Sequence, residues 1–133
     1  AGRGDPVSVD ESLASGLARR LAGAAAASAP GRLSVLIFHR VMATQDPLFP
    51  EEMHADRFDR LLRHIGQSFD VLPLGRALSA LDRGTLPRGA LAITFDDGYA
   101  DNAEIALPLL TRHGLRATFF VATGFLDGGR MFN

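Results

Sequence analysis

The strongest constraint on this chain is the stretch Ala90-Leu91-Ala92-Ile93-Thr94-Phe95, followed at once by Asp96-Asp97-Gly98-Tyr99. A short, continuous apolar run reads as a strand buried on both faces, the kind found in parallel sheets. Two adjacent carboxylates at its C-terminal end are chemically costly, because like charges repel unless a cation or shared proton compensates. In parallel α/β folds, ligands are reached from the carboxyl ends of strands. The stretch therefore predicts both an architecture and the place of a site.

Side chains alternate along a strand, so neighbouring aspartates would point to opposite faces. A turn at Asp97-Gly98 changes this, because glycine accepts positive φ and bends the chain. Both carboxylates can then approach one cleft, one binding a metal while the other acts as a base. A bound cation brings the pKa of a coordinated water to about 7, and a nearby carboxylate takes its proton. The hydroxide attacks a carbonyl carbon, and the cation stabilises the oxyanion. An ordinary Asp-Asp-Gly turn is the competing explanation, but the buried strand before the turn favours a site.

The remaining sequence supports a parallel α/β sheet or barrel. With 133 residues, 47% apolar and 22% charged, the chain has the material for one domain with a core. A net charge of -1 gives no basic footprint for nucleic acid. There is no cysteine, which excludes disulfides and thiolate metal sites. All basic residues other than His are Arg; with the abundant Ala and Gly, this suggests a GC-rich, bacterial coding sequence. No signal peptide is visible, and Leu21 to Ala27 is too short to span a bilayer. Gly128 to Asn133 reads as a loop with no closing element, so a piece of a longer protein is expected.

In chain order, residues 1–32 are expected to form an arm and a peripheral helix at about 9–28, introduced by a Ser8/Glu11 capping box. Leu33 to Phe38 predicts a fully buried strand ending in His39-Arg40. His39 either lines the cleft or is a structural histidine. Residues 41–53 read as loop, and Phe58, Leu61, Leu62 and Ile65 predict a helix over 55–66. His54 and His64 are expected at the surface. A short strand over 69–72 follows, then a helix over 74–81 with Leu74, Ala77, Leu78 and Leu81 inward. After the acidic turn, Asp101 or Asn102 is expected to cap a helix running to about His113, kinked or restarted around Pro108. Gly114 ends it, and Arg116 to Val121 predicts another buried strand. Phe119 and Phe120 read as core.

Thr94-Phe95-Asp96-Asp97-Gly98-Tyr99 resembles the first motif of the polysaccharide deacetylases, the NodB-homology group or carbohydrate esterase family 4. Leu36-Ile37-Phe38-His39-Arg40-Val41 is similar to the Tyr-His-Arg-Val strand end of such domains, with Phe38 in place of Tyr. Phe49-Pro50 to Met53, Leu107-Pro108-Leu109-Leu110 and Ala117 to Val121 also resemble family segments, so the likeness covers about residues 33–133. It implies a distorted (β/α) barrel of about seven strands, of which this chain would supply four and lack the second half. It implies hydrolysis of N-acetyl groups on amino-sugar polysaccharides with a divalent metal, zinc being expected in the full-length enzyme. By the same resemblance Asp96 is the general base and Asp97 a metal ligand, with His39 and Tyr99 as possible cleft-lining residues.

One departure matters. The family's two later histidine ligands, spaced His-x-x-x-His, have no counterpart among His39, His54, His64 and His113. The family's later arginine, tuning aspartate and acid histidine would also lie beyond Asn133. This chain alone is therefore expected to be inactive, to hold no tightly bound metal, and to self-associate through exposed barrel edges. The alternatives are a noncatalytic carbohydrate-binding or assembly module on the same fold, or a magnesium-dependent phosphoryl-transfer domain, which lacks support in a chain without lysine or a phosphate loop. Periplasm or cell envelope is favoured over cytoplasm.

Overall fold

A computed structural model of the chain describes residues 31–126. The expected helix at 9–28 and the terminal loop at 128–133 lie outside the described residues. Strand β1 spans Ser34–Phe38, helix α1 Ala55–Ser68, strand β2 Asp70–Val71 and helix α2 Leu74–Asp82. Strand β3 spans Ala90–Phe95; a π-helical turn at Asn102–Ala106 runs into helix α3, Leu107–Arg112; strand β4 is Thr118–Phe119. The strand–helix alternation yields the expected parallel α/β layer of four strands, all pairing in parallel.

β3 is the centre of the sheet. β1 pairs with it along its length, from Ser34↔Leu91 to Phe38↔Phe95. Its other edge is shared by β2, which pairs at Asp70↔Ala90 and Val71↔Leu91, and β4, which pairs at Thr94↔Thr118 and Phe95↔Phe119. The Leu74 amide donates to Thr118 Oγ1 at 3.3 Å, joining the two segments across this divided edge. Every β3 residue is buried, as the apolar run predicts.

The main core lies between the sheet and helices α1 and α3. Phe58, Leu61, Leu62 and Ile65 of α1 and Leu109 and Leu110 of α3 pack with Leu91, Ile93 and Phe95. The i, i+3, i+4, i+7 spacing on α1 places its four apolar residues on one face, which is why the helix predicted from them forms. A smaller cluster of Ala77, Leu86 and Ala90 sits at the start of β3.

Four expectations require correction. β1 is not fully buried: it alternates, with Val35 and Ile37 exposed at 42% and 61%. Among the described residues β1 is an edge strand, and only its Leu36 and Phe38 face meets the helical core. On α2 only Ala77 is buried, while Leu78 and Leu81 are exposed, so the predicted inner stripe is largely uncovered. The strand expected over 116–121 shortens to two residues; Ala117 and Phe119 pack against the core, while Phe120 and Val121 are exposed. His54 is buried, not at the surface. It occupies the N-cap position of α1 and bridges to Met42, which draws it against the exit of β1.

Pro108 explains the helix after the acidic turn. A proline in a helix interior cannot donate to the carbonyl four residues back. Here Pro108 is placed in the first turn of α3, and the Leu107 amide donates to Asn102 O, a five-residue step that widens the preceding turn.

Candidate functional site

The site is built on an aromatic stack. Phe95, the last residue of β3, lies 5.4 Å from Phe38 and 5.0 Å from Phe119 in stacked geometry, and 5.9 Å edge-on from Phe58. One ring thus ties β1, α1 and β4 to the end of β3. These centroid separations are within the favourable range for aromatic pairs. The next residue, Asp96, has its amide donated to Phe38 O at 2.9 Å, which extends the β1–β3 ladder one step beyond the strand.

The backbone then leaves the sheet abruptly. Asp97 has φ 72° and Gly98 φ 76°, two successive left-handed residues. Gly98 was expected to make the bend; that Asp97 shares it was not legible in the sequence. Among the described residues Asp97 is the sole non-glycine with positive φ. Aspartate tolerates this region better than most residues, but strain of this kind concentrates at functional sites. Gly98 is required twice over. Its φ is left-handed, and a Cβ placed there would lie 2.9 Å from Val121 Cγ1 and 3.3 Å from Val121 Cα. The turn is fastened on its far side by Ala122 N–H donating to Asp97 O at 3.3 Å.

Asp96 and Asp97 are both half-buried at the C-terminal end of the sheet. Among the described residues neither carboxylate is engaged in a hydrogen bond or ion pair. His39 is exposed and follows β1 one step past the Phe38↔Phe95 pairing, which sets it alongside Asp96. Tyr99 is half-buried, with the Arg40 guanidinium carbon 4.7 Å from its ring centroid. The structure thus brings all four predicted residues to one end of the sheet. His64 is exposed on α1 and His113 ends α3; neither joins this cluster.

A third acid was misassigned from the sequence. The sequence predicts Asp101 or Asn102 as the helix cap, but Asp101 stands at the N-cap position and its side chain makes no cap bond. It is buried and accepts from Arg40 Nε at 2.8 Å and from the Val41 amide at 3.4 Å. Asn102, also buried, has its amide nitrogen positioned to donate to Asp101 Oδ1 at 3.2 Å and to His39 O at 3.0 Å. These partners stand about sixty positions apart in the chain, so no local pattern reveals them. The one available signal is the pairing of a lone Arg-Val strand exit with an Asp-Asn step after the acidic turn.

The metal question depends on the donor set. All four histidines fall within the described residues. Among those residues no three His, Asp or Glu side chains gather as a metal site would need. The acid pair therefore does not by itself fit a complete metal centre.

A model of the polysaccharide deacetylase family matches residues 83–129, which enclose β3 and the acidic turn. A putative polysaccharide deacetylase of Bacillus subtilis (strain 168), YxkH, is 28% identical over 94 residues, 69% of this chain and 32% of that protein. Among solved structures, a de-N-acetylase from Aggregatibacter actinomycetemcomitans superposes with a TM-score of 0.57 at 26% identity, covering 73% of this chain and 40% of that one. The Streptococcus pyogenes deacetylase PplD, in complex with acetate, gives 0.65 at 25% identity, covering 79% and 49%. The chain spans about a third of the length of the curated relative it matches. The acidic turn, the parallel sheet and these likenesses agree: the chain is similar to polysaccharide deacetylases across β3 and the acidic turn, and its fold is shared with solved deacetylases.

Proposed function

We propose that this chain carries the acidic side of a hydrolytic site that removes N-acetyl groups from amino-sugar polysaccharides. The observation that carries the reading is the Asp96-Asp97 pair, held on a fixed turn at the carboxyl end of the central strand with both carboxylates unengaged among the described residues. Asp96 is the general base. It accepts a proton from the water whose oxygen attacks the acetamide carbonyl carbon; as the C–N bond breaks that proton is passed to the leaving nitrogen, so that a free amine leaves, with acetic acid, which ionises to acetate, as the other product. The solved relatives, a de-N-acetylase and a deacetylase holding acetate, support amide hydrolysis as the reaction class. His39 and Tyr99 line the approach to the acid pair.

Asp97 is assigned as one carboxylate ligand to a divalent cation, zinc being the expected ion. The other donors must come from outside the described residues, since these assemble no group of three. One carboxylate does not hold zinc tightly. Residues 1–133 alone are therefore expected to bind no stoichiometric zinc and to release no acetate; metal analysis after dialysis checks this, and one zinc per chain lost in Asp97→Ala would overturn it. In the full-length protein, amine release from an N-acetylglucosamine oligomer is expected and should fall at least about a hundredfold in Asp96→Asn. Unchanged release in that variant would remove Asp96 from the role.

The incomplete donor set also favours a second reading, a noncatalytic carbohydrate-binding module that retains the fold. Saturable binding of the oligomer by full-length protein, with no amine released at any divalent metal, would select it. We further propose that residues 1–133 self-associate through the open edge of β1, where Val35 and Ile37 are exposed.

A further inference from the structure

We propose that Asp101 is a positioning residue for the acidic turn, acting with Arg40 and Asn102 as a clamp between the exit of β1 and the segment that follows Asp96-Asp97. The inference rests on the reading of that pair as the reacting carboxylates. Three observations lead to it. Asp101 is an acid only 8% exposed, and a buried carboxylate is costly unless its oxygens are satisfied. Both oxygens are satisfied across the site rather than within the helix it begins. Oδ2 accepts from Arg40 Nε at 2.8 Å; Oδ1 accepts from the Val41 amide and from the Asn102 amide nitrogen. Asn102 then donates to His39 O, so three consecutive β1-exit residues are held by two consecutive residues after the turn.

The clamp closes a loop around the acid pair. On one side, Asp96 N–H bonds Phe38 O; on the other, Asn102 N–H bonds Tyr99 O at 3.0 Å. Asp97 and Gly98, in left-handed conformation, lie between these two anchored points. Left-handed aspartate is not the relaxed state of such a turn, so surrounding bonds must determine it. Arg40, drawn in by Asp101, also sits over the Tyr99 ring. The pair is part-buried, with the Arg40 side chain 41% exposed, so its proposed part is to fix one geometry more than to add net stability.

The chain offers a local reporter, since Tyr99 is its single tyrosine and there is no tryptophan. The test compares Asp101→Asn, and Arg40→Gln in case the buried change prevents folding, with the unaltered chain by amide hydrogen exchange and by acrylamide quenching of tyrosine emission. The clamp predicts that exchange at Asp96, Asn102 and Ala122 accelerates about tenfold while Leu91 and Ile93 change less than twofold. It also predicts that Tyr99 becomes more easily quenched. No change at either set, or equal acceleration at both, would overturn the proposal, the latter because it reports only lost global stability. Neither readout needs catalysis. A failed clamp is thus distinguishable from a failed deacetylase reading, which is judged by Asp96→Asn in the full-length protein.

Discussion

β1 and β3 are parallel neighbours in full register, and both are apolar runs of nearly the same length, yet they occupy different environments. Each β3 residue is buried; β1 alternates, with Val35 and Ile37 open to solvent beside the closed Ala92 and Thr94. The difference is positional. β3 has partners on both edges, whereas β1 has one among the described residues. An apolar side chain on a central strand contributes packing on each side. The same side chain on an edge strand contributes on the covered face and leaves the other face available for another surface. The acid pair follows the strand with both edges paired; on the proposed reading of Asp96 as a base, a packed strand end of this kind is what holds a reacting group to a fraction of an ångström.

The comparison is most strongly tested at the aromatic stack. Phe95→Ala removes the ring that joins Phe38, Phe58 and Phe119, and should cost about 3–5 kcal/mol in chemical denaturation. Ile37→Ser on the open face of β1 should cost no more than about 0.5 kcal/mol and should reduce self-association in light scattering. Equal losses in the two variants would mean that β1 is covered on both faces and the contrast fails.

The next effect is at the turn. Gly98→Ala should cost about 1–3 kcal/mol, since the added methyl meets Val121 and the backbone stays left-handed. Combining it with Val121→Ala should recover only part of the loss, because the Val121 Cα also lies too close. Full recovery would show that the side-chain clash, not the backbone conformation, dominates.

The smallest effect concerns the helical layer that backs the sheet. Asp59 of α1 lies 2.9 Å from His113 Nε2 and also pairs with Arg63 and Arg112, tying α1 to the end of α3. The hydrogen bond from His113 is the main cause holding the Asp59 carboxyl below its ordinary 3.8, with burial opposing and the three cations adding to it. A folded pKa below the unfolded one stabilises the protein above about pH 4, and this contribution fades as pH falls through the lower folded value. Asp59→Asn should therefore lower the melting temperature slightly at neutral pH, and the difference from the unaltered chain should shrink in acid. A difference that stays constant below pH 4 would assign it to packing instead of charge.

The order of elements was legible in the sequence because each rests on a local physical rule. Phe58, Leu61, Leu62 and Ile65 determine α1 by their spacing, and the Ala90–Phe95 run determines β3 to the residue. Pro108 signalled a disturbed helix, which the structure resolves as a π-turn entering α3. The placement of Asp96 and Asp97 at a strand's carboxyl end was equally legible, since it needs only the end of an apolar run and a glycine. What failed were statements of degree and partnership. The exposure of Val35, Ile37, Leu78 and Phe120 depends on which neighbour covers each face, and an apolar residue carries no label for that. Asp101 looked like a cap because Asp before a helix usually is one; its actual partners lie about sixty residues away.

The sequence by itself determined that this chain builds a parallel α/β layer and ends its central strand in two carboxylates. Hydrophobic periodicity, proline and glycine act over a few residues, and those features need nothing more. Only the tertiary structure decided that Phe95 is fixed by three other rings, that Asp97 shares the left-handed bend with Gly98, and that Asp101 and Asn102 fasten the exit of β1 behind the acid pair. Those depend on contacts between segments distant in the chain, where the competition for each neighbour is settled by packing and by the need to satisfy every buried polar group.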